Sequence, residues 1–254
     1  MKLIVLQSLY LTAAAILLPV SPALYVQGQR TRRRIGVLPA PVGPTDGVAL
    51  SDKNGNANDA AKLFIIGEST VAGLGAKTHE NALAGQFADR LSKHIGRAVE
   101  WDVVGKNGVT ARQTINELLP QMPDKQYDFI LVGLGGNDVL KLSSPVKWRR
   151  DMLELLGKLR AAQPDAAIFL SNCPMIKLSP ALPNPIRFLL WQLSQLHDAN
   201  IQEFSAELDR VVYYPQPKKL DVEGFFADGI HPSEKGYSDW AEAMMQHFAD
   251  HHKW

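Results

Sequence analysis

Lys62-Leu63-Phe64-Ile65-Ile66-Gly67-Glu68-Ser69-Thr70 is a short apolar run that halts at a glycine and delivers a serine. A run of this length, bounded by turn residues, predicts a buried strand of a parallel sheet. In open α/β sheets, ligands and reactive groups gather just beyond the carboxyl ends of such strands, which is where Ser69 falls. Gly67 lets the chain turn sharply there with no side chain in the way. Taken alone, the same Gly-x-Ser also describes a serine that ends a strand and caps the next helix. The rest of the chain decides between the two.

Working outward, strands and helices alternate. Residues 79–95 carry Leu83, Phe87 and Leu91 four apart, with Thr78 as an N-cap and Gly96 as a C-cap, which predicts a helix. Residues 99–104 read as a second strand. A short helix is expected over 110–119, stopped by Pro120. Residues 129–133 are a third strand. Ser144-Pro145 opens a helix, since proline suits the first helical position, and its stripe is Met152, Leu155, Leu156 and Leu159. Residues 167–170 form a fourth strand and residues 187–208 a long helix. Residues 211–214 make a fifth, short strand. Ser233 caps a final helix with Tyr237, Trp240, Met244 and Phe248 on one face. Such alternation predicts a parallel sheet of about five strands in a three-layer α/β/α sandwich.

The 254 residues, 46% of them hydrophobic, suffice for one sizeable core. A net charge of +1 offers no global field for nucleic acid. Cys173 is the only cysteine, so neither an internal disulfide nor a cysteine-based zinc pattern is available. With no motif around it, Cys173 reads as a small buried residue. His247 and His251 lie four apart on the last helix, a spacing that could grip a metal weakly; a solvated, frayed terminus is the expectation, and no metal or cofactor is called for.

The first 28 residues differ in kind. Residues 3–26 are nearly uncharged and mostly apolar, with Pro19 and Pro22 at the far end. A bilayer span needs about 20 apolar residues. One reading is a cleavable secretory signal with Lys2 as a thin positive leader, giving a secreted or periplasmic protein. The other is a retained anchor. Arg30, Arg32, Arg33 and Arg34 follow the segment and outnumber the positive charge before it, which favours an anchor with the body on the cytoplasmic face. The same arginines suit anionic headgroups. Residues 29–60 read as a basic stretch and then a linker or wrapped surface segment, with Pro39, Pro41, Pro44 and the run Asp52-Lys53-Asn54-Gly55-Asn56. Residues 61–254 form the folded body.

Four short motifs fall at loop positions: Gly67-Glu68-Ser69-Thr70 after the first strand, Gly105-Lys106-Asn107-Gly108-Val109-Thr110 after the second, Gly135-Gly136-Asn137-Asp138 after the third, and Asp228-Gly229-Ile230-His231-Pro232 before the last helix. A parallel sheet brings the first three to one edge, and the fourth is expected to fold back to it. A serine hydroxyl needs a base within hydrogen-bond reach, and the base needs an orienting partner. His231 supplies the base and Asp228, three residues earlier in a tight turn, the partner. The backbone N–H groups of Ser69 and Gly108 and the side-chain amide of Asn137 are the donors available for an oxyanion. Asp138 is expected to accept a loop or capping hydrogen bond. The spacing of Gly133, Gly135 and Gly136 does not match a dinucleotide fingerprint.

This set resembles the SGNH hydrolases, the GDSL-type esterases and lipases, whose name lists the residues found here as Ser69, Gly108, Asn137 and His231. The resemblance spans about residues 60–250 and includes the order of the motifs. It implies a flavodoxin-like sandwich and metal-free ester hydrolysis through an acyl-enzyme. Gly108 matches better than Gly105, because the family pattern has a Gly-x-Thr after its second strand. The family's first block usually reads Gly-Asp-Ser-Leu; here Glu68 adds a methylene and Thr70 replaces an apolar residue.

The expected partner is a small-molecule or lipid acyl ester. Residues 174–191 are apolar for a loop and read either as a cover over the acyl side of the site or as a segment burying itself on the sheet edge. Two other activities fit the same residues: acyl transfer or deacetylation on envelope glycans or lipids, and a non-catalytic binding protein of the same fold. The intact set of Ser69, Asp228 and His231 speaks against the last.

Overall fold

A computed structural model describes residues 2–51, 59–219 and 221–252, with the backbone alone at residues 2 and 3. The Lys2 side chain and the Asp52-Lys53-Asn54-Gly55-Asn56 run therefore lie outside the described residues. Strands β1 (Asp46–Ala49), β2 (Ala61–Gly67), β3 (Val99–Gly105), β4 (Phe129–Gly133), β5 (Ala167–Leu170) and β6 (Val211–Tyr213) form one sheet in the order β1-β3-β2-β4-β5-β6. The five strands from β2 onward are mutually parallel, as expected. β1 adds an antiparallel edge from the stretch read as linker or surface segment. The order of the parallel strands is flavodoxin-like, and it reverses around β2. That reversal opens a crevice at the carboxyl end of β2, where Ser69 lies.

The strand sequences explain the layers. Side chains alternate between the two faces of a strand. Leu63 and Ile65 of β2, with Leu131 and Phe169, pack under helices α3 (Leu83–Ile95) and α8 (Glu234–His251). Phe64 and Ile66, with Ile130, Val132 and Ile168, pack on the opposite face. There the cover is Trp148, Met152 and Leu155 of α6 (Pro145–Ala162) and Ile201 and Phe204 of α7 (Ile186–Ser205). Both faces are sealed, so the run needs no polar alternation.

Three helix boundaries depart from expectation. The helix read over 79–95 begins at Leu83 with Ala82 as its N-cap, while Thr78 instead accepts the Asn81 N–H at 3.3 Å, serving the turn before it. The segment 110–119 is not one helix: α4 (Ala111–Gln113) opens on a Thr110–Gln113 capping box, passes into a π turn (Thr114–Leu118) and ends in a 3-10 turn (Leu119–Gln121) that contains Pro120. The C-terminal helix is not frayed at His247, whose Nε2 meets the Tyr213 carbonyl at 3.0 Å. Ser144 and Ser233 cap α6 and α8 through their side chains, as read.

At the N-terminus, α1 (Lys2–Leu17) and α2 (Ser21–Ile35) are joined by a single turn, Leu18–Val20. Ile4–Ile35 is long and apolar enough to cross a membrane. α1 lies against α7. α2 is tied to the body by Gln27, which donates to the Asn184 carbonyl, and by Arg34, which donates to that of Ala181.

Candidate active site

Glycines bring the serine turn onto the sheet. Gly67 pairs with Gly105 on one side and Gly133 on the other. A Cβ on Gly67 would stand 2.0 Å from the Gly133 carbonyl oxygen, and one on Gly105 would stand 2.5 Å from the Ala72 nitrogen. The absence of those atoms lets residues 68–72 fold directly over the strand ends. The turn is then closed by hydrogen bonds from the Glu68 N–H to the Gly133 carbonyl and from the Ala72 N–H to that of Glu68, each 2.9 Å. Ser69 is thereby held on a rigid corner, buried at 7% exposure.

The loop before α8 folds back to this corner. Asp228 Oδ1 accepts the backbone N–H groups of Ile230 and His231, and Oδ2 faces His231 Nδ1 at 2.8 Å. A carboxylate only accepts, so Nδ1 carries the hydrogen and Nε2 presents its lone pair. Nε2 stands 3.1 Å from Ser69 Oγ, so the serine hydroxyl donates to it. Burial acts to raise the Asp228 carboxyl, but the imidazole and the two backbone donors outweigh it and hold the group below its ordinary value. The loop's position is set from below. The Tyr237 hydroxyl, buried in α8, donates to the Leu74 carbonyl at 2.7 Å. The Pro232 carbonyl also sits against Gly75, where a Cβ would approach to 2.1 Å.

The other two sequence-selected residues reach the same edge. Gly108 follows β3 with φ +83°, a left-handed conformation that suits glycine, and its carbonyl accepts from Lys141 Nζ at 2.6 Å. Asn137 lies in α5 (Gly136–Leu140), directly after β4. Its side-chain amide donates to Glu68 Oε2 at 2.6 Å, leaving the second amide hydrogen for another acceptor.

Sequence reading missed the part played by Glu68. Its Oε1 accepts the Gly136 N–H at 2.7 Å, and its Oε2 accepts the Asn137 N–H at 2.8 Å besides the amide. Burial drives this carboxyl up to about 7, against the pull of the Asn137 and Gly136 donors, and the nearby Asp138 charge adds to the rise. The available signal was a charged residue inside an otherwise buried turn, which demands donors from a neighbouring loop. Asp138 behaves as read: it accepts from the Ala111 N–H at 2.8 Å and from the Ser143 hydroxyl. Cys173 is fully buried, and that burial pushes its thiol well above the usual range. Among the described residues, no group of three or more His, Cys, Asp or Glu is arranged to hold a metal ion.

Residues 65–238 match the model of the GDSL-like lipase/acylhydrolase family. Among solved structures, the chain is similar to a lipase/acylhydrolase from Enterococcus faecalis, at 17% identity and a TM-score of 0.55, over 76% of this chain and 97% of that one. It is also similar to the lipase Lip_vut3 from a goat rumen metagenome, at 15% identity and a TM-score of 0.57, over 74% and 97%. A third likeness is to an acetyl xylan esterase from the rumen bacterium Butyrivibrio proteoclasticus, at 17% identity and a TM-score of 0.51, over 76% and 64%. At these identities the likeness is one of fold. Among curated proteins the sequence finds no match.

Proposed function

This chain belongs to the GDSL-like lipase/acylhydrolase family, and on that premise we propose that it hydrolyses carboxylic esters with Ser69 as nucleophile, His231 as base and Asp228 as its orienting partner. The observation that carries the reading is the relay from Asp228 Oδ2 through His231 to Ser69 Oγ, at 2.8 and 3.1 Å. Ser69 Oγ attacks the ester carbonyl carbon while its proton passes to His231 Nε2. The negative charge on the carbonyl oxygen is met by the N–H groups of Ser69 and Gly108 and the free amide hydrogen of Asn137. Collapse breaks the ester C–O bond, and the departing alcohol takes the proton from His231. Water, deprotonated by the same imidazole, then attacks the acyl-enzyme and releases the carboxylic acid and Ser69.

The test is hydrolysis of p-nitrophenyl esters by the full chain beside Ser69→Ala, together with labelling by a fluorophosphonate probe. Turnover and labelling that both vanish in the variant support the reading. Equal rates in the two proteins remove Ser69 from the mechanism, and product that appears only with an added acceptor alcohol marks an acyltransferase instead.

We further infer that the N-terminal helices hold the body at a membrane, with the body on the cytoplasmic side. Support comes from the exposed Ile4, Leu9, Leu11, Ile16 and Leu18 and from the arginines that close α2. Membrane insertion of residues 3–26 takes α1 and the start of α2 off the body, while Gln27 and Arg34 keep the end of α2 on it. Fractionation of tagged protein tests it: recovery as a shortened soluble form outside the cytoplasm would instead identify a cleaved signal.

A further inference from the structure

A cavity of about 130 Å³ opens beside the serine corner. It is bounded by Thr70, next to Ser69, by Gly136, next to Asn137, and by Ile230 and Pro232, on either side of His231. From there it runs past the ends of β4 and β5. Met175, Ile176 and Leu182, from the apolar segment after β5, line it. Trp240 and Ala243 of α8 line it as well, together with Phe226.

Three polar side chains in this lining have their hydrogen bonds satisfied elsewhere. Asn172 Oδ1 takes the Trp240 indole N–H at 2.7 Å. Ser179 Oγ donates to the Gly229 carbonyl at 2.6 Å, and the Glu68 carboxylate takes three N–H groups. The hydroxyl-bearing Thr70, Ser171 and Tyr214 line the space too, but most of its wall is apolar, so hydrocarbon gains by leaving water for it. The segment around Ser179 is pinned: Ser179 holds the Asp228–His231 loop, and Ala181 holds Arg34 of α2 at 2.8 Å. The cavity is therefore preformed.

We propose that this cavity receives the acyl chain of the ester bound at Ser69 and limits it to a linear chain of about six carbons. The proposal rests on Ser69 being the nucleophile and adds the substrate class to that reading. The size follows from volume, since an apolar protein cavity of about 150 Å³ takes one benzene, a molecule of six carbons. Each methylene moved from water into such a space improves transition-state binding by up to about fourfold. Acetyl esters leave the cavity empty and forgo that gain.

The experiment measures kcat/KM of the full chain for p-nitrophenyl acetate, butyrate, hexanoate, octanoate and decanoate. The expected profile climbs by up to about fourfold per methylene to hexanoate and falls at least about tenfold by decanoate, which overfills the space. Ala243→Leu, which fills the lining at α8, lowers the hexanoate-to-acetate ratio at least about tenfold, and Met175→Ala moves the optimum toward octanoate. A flat profile, or an optimum unmoved by both variants, overturns the proposal. A second readout needs no turnover: in Ser69→Ala, the methyl resonance of Met175 shifts on titration with methyl hexanoate and stays still with methyl acetate. A shift in that experiment, with wild-type protein that neither turns over esters nor takes the fluorophosphonate label, upholds the cavity's occupant and rejects the hydrolase reading. No shift alongside serine labelling does the reverse.

Discussion

The Glu68 carboxylate grips Asn137 twice, accepting its backbone N–H at 2.8 Å and its side-chain amide at 2.6 Å. The residue that precedes the proposed nucleophile thus orients a proposed oxyanion donor 69 positions away. Three N–H donors converge on its two oxygens, one on Oε1 and two on Oε2, so the carboxyl group is held in a single orientation against the Asn137 turn. Glu68→Gln puts an NH₂ group against N–H groups and tilts the Asn137 amide. The expected result is a fall in kcat of about tenfold or more with little change in KM, below the hundred- to thousandfold loss typical of deleting an oxyanion donor outright. If Glu68 acts through Asn137, adding Glu68→Gln to Asn137→Ala costs nothing further in kcat; additive losses would place its effect elsewhere.

The same carboxyl makes folding sensitive to pH. Its ordinary value is 4.5, and the folded chain raises it to about 7. Between those values the folded chain holds a proton that the unfolded chain has released. This group's contribution to stability is therefore full below pH 4.5 and is lost as the pH rises through 7, by roughly 3 kcal/mol. Urea unfolding at pH 5 and pH 8 should show Glu68→Gln losing correspondingly less stability than wild type across that interval. Parallel losses in the two proteins would refute this assignment.

Asp228 titrates in the opposite sense. Its folded value lies below the ordinary 3.8, so its contribution is present above that pH and is lost as the pH falls through the folded value. Asp228→Asn removes the anion that stabilises the imidazolium and permits the wrong tautomer of His231. Esterase kcat is expected to fall by about 10⁴-fold, with fluorophosphonate labelling of Ser69 slowed in step. Retention of more than a tenth of wild-type kcat would mean that another group orients the imidazole.

Gly67→Ala tests the close approach at the strand ends. The new methyl would sit 2.0 Å from the Gly133 carbonyl oxygen, so β2 and β4 must separate or the 68–72 turn must lift. A destabilisation of about 1–3 kcal/mol or more is expected in urea unfolding, with esterase activity falling faster than the folded fraction. A neutral substitution would show that the sheet end yields easily.

Tyr237→Phe cuts the tie between α8 and the serine turn. The Leu74 carbonyl loses its 2.7 Å donor in a buried setting, which costs about 1–3 kcal/mol. Thermal unfolding should report that loss. Unchanged stability would mean that the carbonyl finds another donor.

Much of the body was legible because its signals are local. An apolar run flanked by turn residues identifies a covered strand wherever it packs, and β4 spans Phe129–Gly133 just as read. Caps such as Ser144 and Ser233 were legible for the same reason, since each cap and its partner lie three residues apart. Thr78 was misread because a cap is chosen by the turn that tertiary packing allows: residues 79–82 bend under Gly73 and Gly85 before the helix can start. β1 was missed because a four-residue edge strand gains its hydrogen bonds from β3 and carries little pattern of its own.

By itself, the order of residues determined the chemical kinds at the sheet edge: a serine, a glycine, an asparagine and an Asp-x-x-His, each at the end of an element whose period is written in the nearest ten residues. Only the tertiary structure decided that His231 Nε2 meets Ser69 Oγ across 162 residues, that Glu68 turns from a substituted motif position into the clamp on Asn137, and that residues 174–182 wall a cavity instead of a bare sheet edge. Periodicity is set by backbone geometry between neighbours in the chain. A hydrogen bond between distant side chains exists only once burial has removed water as the competing partner, and no local pattern records which groups burial will bring together.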